Sequence, residues 1–145
     1  NVKSYDEIVF CGFGEPTLRL DVIKEVAHKI KDAGGRVRLN TNGHGNVINK
    51  RNILPELSGL IDEISISLNT DTSEAYDEIC RPLPMFRNGI YDKIKEFITE
   101  AKKHIPEVQA TIVTHQKDVD ENQCEDIVNK EFGVKYRARR YNIVG

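Results

Sequence analysis

Two patterns of apolar residues alternate along the chain. Short β-rich runs, such as 7–13 and 61–69, indicate strands. Longer runs in which apolar residues recur every three or four positions, such as 18–30 and 90–101, indicate amphipathic helices. Strands and helices that alternate in this way predict right-handed βαβ units and therefore a parallel sheet.

The predicted elements cover the whole chain as a single domain over residues 1–145. Strands are expected at 7–13, 36–40, 61–69, 108–115 and 134–141. Helices are expected at 18–30, about 50–57, 73–79, 90–101 and 120–132. We expect Asn88 and Asp120 to cap the last two helices. Five strands are too few for a closed eight-stranded barrel of about 250 residues, so the α/β domain is an open sheet or part of a barrel-like sheet.

Four of the predicted strands carry polar side chains on one face. These side chains belong to Arg36, Arg38, Asn40 and Asn42; Ser65, Ser67 and Asn69; Thr111 and His115; and Lys135, Arg137, Arg139 and Tyr141. Strands covered by helices on both faces are instead apolar throughout. One face is therefore expected to line a wet, concave ligand cavity, or else to be uncovered because the chain is truncated. The cavity is favoured because polar residues also gather at the carboxyl ends of the strands, where parallel α/β folds bind ligands.

Composition excludes several classes of function. The chain has 21 basic and 23 acidic residues and a formal net charge of −2, which argues against a nucleic-acid binder. No apolar run approaches the roughly 18 residues of a membrane span, and no signal-peptide pattern is present. The scattered cysteines Cys11, Cys80 and Cys124 predict a reducing, cytoplasmic location and no metal site built from local cysteine spacing. Because the chain begins with Asn1, we expect a fragment of a longer polypeptide or a processed one.

The first predicted strand runs into a glycine-rich turn that ends in an acidic residue. In the stretch CGFGEP at 11–16, the glycines let the backbone approach a ligand and Pro16 suits the start of a helix. The acidic side chain of Glu15, with no Lys after it, disfavours a phosphate site. Glu15 suits a cationic group such as an ammonium, and the alternative is that it only stabilises the start of the next helix.

Three strand-end motifs resemble, in their order, those of the radical S-adenosylmethionine (SAM) superfamily. The motifs are GFGEP at 12–16, LNTNG at 39–43 and ISISLN at 64–69. Together with YDEICRP at 76–82 they look most like the subgroup encoded beside TatD-type nucleases, and more distantly like pyruvate formate-lyase activating enzymes. The resemblance implies a partial (β/α)6 TIM-like barrel, of which this chain lacks the first strand and the loop that binds the cluster.

The resemblance also implies how the glycine-rich turn works. Gly12, Gly14 and Glu15 would receive the methionine ammonium of SAM on carbonyl and carboxylate oxygens. An ammonium offers three hydrogen-bond donors and no acceptor, which agrees with this set of oxygens. Phe13 stands where many members of the superfamily have the second glycine, and its side chain would have to point away from the ligand.

Four further residues are implied as SAM contacts. Ser67 and Asn69 would contact the ribose and the carboxylate, and the alternative is a solvated strand face. Asn40 stands where activating enzymes often have an Asp, and it either contacts SAM or serves turn chemistry. Arg81 is either a clamp for a carboxylate or an ordinary surface residue.

Three residues near the ends of the last two strands are candidate substrate contacts. His115 either touches the substrate or is structural. Arg137 and Arg139 would face the cavity and bind an anionic substrate or the SAM carboxylate, and the alternative is an edge strand protected by charge. The sequence does not specify whether the substrate is a small molecule or a protein. By analogy to activating enzymes, a glycyl-radical protein is a candidate partner.

The resemblance implies a reaction that this chain cannot perform alone. Members of the superfamily bind a 4Fe–4S cluster on a CxxxCxxC motif, and one-electron cleavage of SAM gives a 5′-deoxyadenosyl radical that abstracts hydrogen. No residue of this chain can hold that cluster, so we expect it to be a catalytically silent part of an enzyme, with neither a catalytic residue nor a metal ligand. The other hypothesis is a non-catalytic α/β module that binds a nucleotide or an anionic metabolite.

Overall fold

One parallel sheet of five strands organises the protein in a computed structural model, which describes residues 1–12 and 14–140. The strands are β1 Ile8–Phe10, β2 Val37–Thr41, β3 Glu63–Ser67, β4 Glu107–Val113 and β5 Lys135–Arg139, and they lie in the sheet in chain order. This arrangement confirms the predicted α/β class and is that of a piece of a (β/α) barrel. Phe13 and Tyr141, on which two sequence-based expectations depend, lie outside the described residues.

Helices connect successive strands. They are α1 Leu20–Asp32, α2 Gly45–Ile48, α3 Leu54–Leu57, α4 Ser73–Cys80, α5 Ile90–His104 and α6 Glu121–Asp126, which continues as a π-helical segment over Ile127–Phe132. Short 3-10 turns occupy Val2–Ser4, Pro16–Arg19 and Pro84–Phe86. None of the helices in the described ranges is long and apolar enough to cross a bilayer.

Two details of the sequence prediction are wrong, and both have a local cause. The single helix over about 50–57 is replaced by α2 and α3, because Pro55 fits only the first turn of a helix. The cap of α5 is Gly89 rather than Asn88, which has a left-handed φ of 65° and donates its backbone N–H to Asp77 Oδ2 at 2.9 Å. Asp120 caps α6 as expected, and its side chain accepts from the backbone N–H of Gln123.

The helices cover only one face of the sheet. When strands follow one another in chain order, right-handed crossovers place every connecting helix on the same side. The core between sheet and helices consists of apolar side chains that are fully buried, among them Leu39, Ile64, Ile66, Ile94, Phe97, Ile98 and Ala110.

The opposite face is polar and forms a hollow. Its cavity of about 40 Å³ is lined by side chains from four neighbouring strands: Arg38, Asn40, Ser65, Ser67, Gln109, Thr111, Arg137 and Arg139. The strand register places Ser67, Thr111 and Arg137 side by side. The alternating pattern in the sequence therefore marks the face of the sheet opposite the helices that the structure describes.

Charged residues at the amino ends of the strands are paired with one another. Arg36 contacts Glu7 and Glu63 at 3.2 Å each and Glu107 at 3.0 Å. The Asp62 carboxylate accepts hydrogen bonds from Lys31 Nζ and from the backbone N–H of Val37, all at 2.8 Å. This edge of the sheet is a closed network in which the named charges have partners.

Candidate functional site

A cavity of about 230 Å³ opens at the carboxyl ends of β1, β2 and β3. Its lining residues are Cys11, Gly12, Gly14, Glu15, Pro16, Asn40, Thr41, Asn42, Ser67 and Arg139. We call it the Glu15 cavity. It brings together five of the seven residues predicted to bind SAM, and one of the three predicted to bind substrate.

The Glu15 carboxylate fixes the glycine-rich turn to the end of β2. Its Oε1 accepts from the backbone N–H of Asn42 at 2.9 Å, and its Oε2 accepts from Thr41 Oγ1 at 2.6 Å. Oε2 also accepts from the backbone N–H of Thr17 at 3.2 Å and from the Thr17 hydroxyl. Glu15 thus caps the 3-10 turn at Pro16–Arg19, which is the alternative role that the sequence left open.

These contacts leave part of the carboxylate able to bind another donor. A carboxylate offers about four lone-pair sites over its two oxygens. Among the residues that the structure describes, Oε2 has three donors, whereas Oε1 has only the backbone N–H of Asn42. Glu15 is only half-buried, so Oε1 can accept from an ammonium while Oε2 holds the side chain in place.

The supporting threonines were missed by the sequence reasoning. Thr17 and Thr41 are buried, with 0% and 4% of their surface exposed. A buried hydroxyl requires a hydrogen-bond partner. Thr41 follows Val37 and Leu39 on the helix-covered face of β2, and a polar residue at the end of that apolar stripe was the signal available in the sequence.

Two glycines of the turn have open space where a side chain would be. A Cβ added to Gly14 would meet no atom within 4 Å, and one added to Gly12 would only approach the backbone of Gly14 at 4.0 Å. Gly45 differs, since its Cβ would lie 2.7 Å from Ile53 Cδ1. Packing within the described protein therefore explains the glycine at 45 but not those at 12 and 14, which leave backbone open to a ligand.

Asn40 lies between the Glu15 cavity and the polar hollow and lines both. Its Oδ1 is buried and has no hydrogen-bond partner among the described residues. An unpaired buried acceptor is costly, by about 1–3 kcal/mol, unless a ligand or water supplies a donor. Asn40 therefore fits a ligand contact better than turn chemistry alone.

Asn69 and His115 lie together, but apart from the Glu15 cavity. They line a mostly apolar cavity of about 430 Å³ with Ile79, Cys80, Val113, Gln116 and Lys117. Asn69 has a φ of 65°, its Nδ2 lies 3.9 Å from Cys80 Sγ, and its Oδ1 is buried without a partner in the described chain. Burial raises the pKa of the Cys80 thiol, which keeps this cavity uncharged on that side.

Arg81 lies in a groove whose lining includes no other predicted site residue. It has a left-handed φ of 45° at the end of α4 and is exposed. The groove beside it is lined by Ser73, Glu74, Asp77, Glu78, Arg87 and Asn88. Arg81 therefore faces acidic neighbours and not the Glu15 cavity.

A buried histidine, His44, stabilises the segment that contacts Glu15. His44 Nε2 and the Tyr76 hydroxyl share a hydrogen bond of 2.8 Å, and the backbone N–H of His44 donates to Asn42 Oδ1 at 2.9 Å. Burial lowers the pKa of His44, and the charge of Glu15 opposes that shift in part. Burial also raises the pKa of Tyr76. This pair of neutral rings joins α4 to the segment that donates to Glu15, and the sequence reasoning did not identify it.

The hydrogen-bond acceptors of the Glu15 cavity fit SAM. The unpaired oxygen of Asn40, the available Glu15 Oε1 and the open backbone at Gly12 and Gly14 suit an ammonium and hydroxyl groups, which donate hydrogen bonds. The described residues do not fit a 4Fe–4S cluster, because no group of three His, Cys, Asp or Glu side chains among them could hold a metal.

Comparisons with known proteins identify the family. Residues 1–129 match the family described as the Radical SAM superfamily. No curated protein matches the chain. A solved structure titled "Structure of MT0777" is similar at 15% sequence identity with a TM-score of 0.36, and the match covers 94% of this chain and 85% of that one. Since the family match spans four of the five strands and nearly the whole Glu15 cavity, the chain belongs to the radical SAM superfamily.

Proposed function

We propose that this chain is the SAM-binding part of a radical SAM enzyme, and that the Glu15 cavity receives the methionine end of SAM. When it is bound and reduced by one electron, SAM supplies the 5′-deoxyadenosyl radical that abstracts hydrogen from a substrate. The observation that carries the proposal is the convergence of three strand-end motifs on one cavity whose acceptors are incompletely paired. The family supports the same chemistry.

The residues of the site contact different parts of SAM, according to their chemistry. Glu15 Oε1 and the carbonyl oxygens of the glycine-rich turn accept from the ammonium, with the negative charge of Glu15 opposite its positive charge. Asn40 Oδ1 and the Ser67 hydroxyl accept from hydroxyl groups of the ribose. Asn69 contributes to the separate, mostly apolar cavity that it lines with His115, which suits a flat, apolar part of a ligand. Arg81 is left out, because its groove lies elsewhere.

We further propose that the 4Fe–4S cluster is held by polypeptide outside these 145 residues and that the chain alone is catalytically silent. Cys11 is exposed beside β1, Cys80 ends α4 and Cys124 is buried in α6, so the three thiols lie on separate elements. After anaerobic reconstitution with iron and sulfide, the 145-residue chain should show no cluster absorbance. A stoichiometric, air-sensitive 4Fe–4S centre on it would contradict this part of the proposal.

The finer assignment rests on the sequence motifs. We propose membership of the subgroup encoded beside TatD-type nucleases, with a glycyl-radical protein as a candidate partner by analogy to the more distant activating enzymes. Free thiols in all three cysteines favour a cytoplasmic location. Mixing the intact, reduced protein with SAM and a candidate partner should give a protein radical in the electron paramagnetic resonance spectrum. A partner that stays silent in that spectrum would remove the activase role.

The ammonium role of Glu15 is tested by Glu15→Gln in the intact protein, because glutamine keeps the size of the side chain and removes its charge. SAM affinity, measured by equilibrium dialysis, should fall by at least about tenfold, the equivalent of about 1.4 kcal/mol. Methylthioadenosine lacks the ammonium, so its affinity should change little. The matched control is Glu25→Gln, since Glu25 is an exposed carboxylate on α1.

An equal loss of affinity for SAM and for methylthioadenosine would mean that Glu15 only shapes the turn. Unchanged SAM affinity would contradict its role altogether. The non-catalytic alternative has its own test, since a binding module would retain SAM without cleaving it. The intact, reduced protein should instead release methionine and 5′-deoxyadenosine.

A further inference from the structure

The polar hollow on the sheet face opposite the helices is strongly basic. Among its eight lining residues are Arg38, Arg137 and Arg139, and none is acidic. The ion pairs found within residues 1–12 and 14–140 include neither Arg137 nor Arg139. We call this cavity the arginine hollow.

Arg38, the third guanidinium, is only partly compensated. Its Nε lies 3.5 Å from Glu7 Oε1, beyond good hydrogen-bond geometry, and is buried without a hydrogen-bond partner in the described part of the chain. A buried guanidinium N–H with no acceptor is costly, and three like charges around one small space repel each other. Binding of an anion relieves both of these costs.

The small size of the hollow, about 40 Å³, favours a compact anion such as a carboxylate. Guanidinium groups bind carboxylates in a planar, bidentate manner, and the hydroxyls of Ser67 and Thr111 lie in the same lining as further donors.

The hollow adjoins the Glu15 cavity. Asn40, Ser67 and Arg139 line both spaces, so they form the boundary between the two. A molecule anchored by a carboxylate in the hollow can therefore extend towards the cavity assigned to SAM. In that arrangement the anchored group stays away from the reacting end, and one side of the boundary selects the substrate while the other binds the cofactor.

We propose that the arginine hollow anchors the carboxylate of a small-molecule substrate, with Arg137 and Arg139 as its principal ligands. This inference rests on the proposed function, because it takes the neighbouring cavity to hold SAM. It specifies the substrate class as carboxylic acids of low molecular weight.

The test titrates the 145-residue chain and the intact protein with succinate, with its neutral analogue succinamide and with inorganic phosphate. Binding is followed by the Nε–Hε signals of the arginines in nitrogen-15 NMR spectra. Succinate should shift the signals of Arg137 and Arg139, and succinamide should not. Phosphate should bind at least about threefold more weakly than succinate, because a carboxylate is the smaller group and is planar like the guanidinium groups.

The double variant Arg137→Gln/Arg139→Gln should lower succinate affinity by at least about tenfold. Arg140→Gln is the matched control, because Arg140 carries the same charge, follows β5 directly and does not belong to the lining of the hollow. It should change succinate affinity by less than about twofold. Unchanged backbone spectra in both variants would show that the fold is retained, and the single variant Arg137→Gln replaces the double variant if the latter unfolds.

The outcomes separate this inference from the proposed function. Succinate binding that does not depend on Arg137 and Arg139, or phosphate binding as tight as that of succinate, overturns the inference. If the arginine variant loses SAM affinity but keeps succinate affinity, the arginines serve the cofactor's own carboxylate and the inference is also overturned. If Glu15→Gln leaves SAM affinity unchanged while succinate still needs the arginines, the proposed function fails and the hollow stands as a carboxylate site.

Discussion

The two edges of the sheet differ in how completely their polar residues are paired. At the amino edge, Arg36 contacts three glutamates and Asp62 accepts three hydrogen bonds, so their charges are matched within the fold. At the carboxyl edge, buried oxygens of Asn40 and Asn69 lack partners in the described chain. The same strands therefore carry paired charges of Arg36 and Asp62 at one end and unpaired amide oxygens at the other.

The contrast separates residues that stabilise the fold from residues available to a ligand. In (β/α) barrels the amino edge is associated with stability and the carboxyl edge with the active site. An unpaired buried polar group lowers stability, so its persistence at one edge points to a partner that the protein alone does not supply. We expect substitutions at the amino edge to change unfolding, and substitutions at the carboxyl edge to change binding.

The largest effect is expected from Asp62→Ala. It removes the acceptor of the Val37 N–H and leaves Lys31 without its partner, so the free energy of unfolding should fall by about 2–3 kcal/mol. Urea denaturation measures the change. SAM affinity per folded molecule should stay within about twofold. A large loss of SAM affinity in the folded variant would show that the two edges are coupled.

The next effect is expected from Gly14→Ala. A Cβ at this position has free space, so the free energy of unfolding should change by less than about 0.5 kcal/mol, while SAM affinity should fall by about tenfold. Gly45→Ala is the matched control. Its Cβ would lie 2.7 Å from Ile53 Cδ1, which should cost about 1–3 kcal/mol of stability. If Gly14→Ala destabilises the fold as much as Gly45→Ala does, the turn is not an open binding surface.

A smaller effect on binding is expected from Asn40→Ala. The substitution removes a buried oxygen that has no partner in the described structure, so stability should be unchanged within about 0.5 kcal/mol. SAM affinity should fall by about threefold to tenfold, as for the loss of one hydrogen bond. Isothermal titration calorimetry on the intact protein measures the SAM affinity. A clear loss of stability with no change in binding would assign Asn40 to the fold.

The smallest effect is expected in the pH dependence of stability. Burial lowers the pKa of His44, so the unfolded chain binds a proton at a higher pH than the folded one does. The contribution of His44 to stability is present above its ordinary pKa of about 6.5 and is lost as the pH falls below that value. Urea denaturation at pH values of about 7.5 and 5.5 should show this loss. In His44→Gln the same change in pH should lower the free energy of unfolding by less than it does in the unchanged protein. An identical pH dependence in the two proteins would contradict the role of His44.

The sequence predicted the architecture because its signals are local and repeated. Alternation along the strands marks the polar face, and glycine, asparagine and acidic residues mark the strand ends. Asn40 and Ser67 lie at the carboxyl ends of neighbouring strands, and Glu15 follows β1 through the glycine-rich turn. Their meeting in one cavity follows from a parallel sheet. Parallel strands all present their carboxyl ends at the same edge.

Other parts of the site depend on backbone geometry that no short motif specifies. Asn69, just after β3, has a left-handed φ of 65°. Its side chain therefore lines a different cavity from that of Ser67. Arg81 is likewise turned away by a left-handed φ at the end of α4. The partners of Thr41 and His44 come from segments distant in the sequence, so their roles appear only in three dimensions.

The order of the strands also bears on how the protein is made. Within residues 1–12 and 14–140, each strand pairs with the strands that come immediately before and after it in the chain. A growing polypeptide can therefore add one strand-and-helix unit at a time to the edge just completed, with no strand waiting for a partner synthesised much later. Translation and assembly of the sheet can proceed in the same direction, and this limits the time for which any apolar edge is exposed.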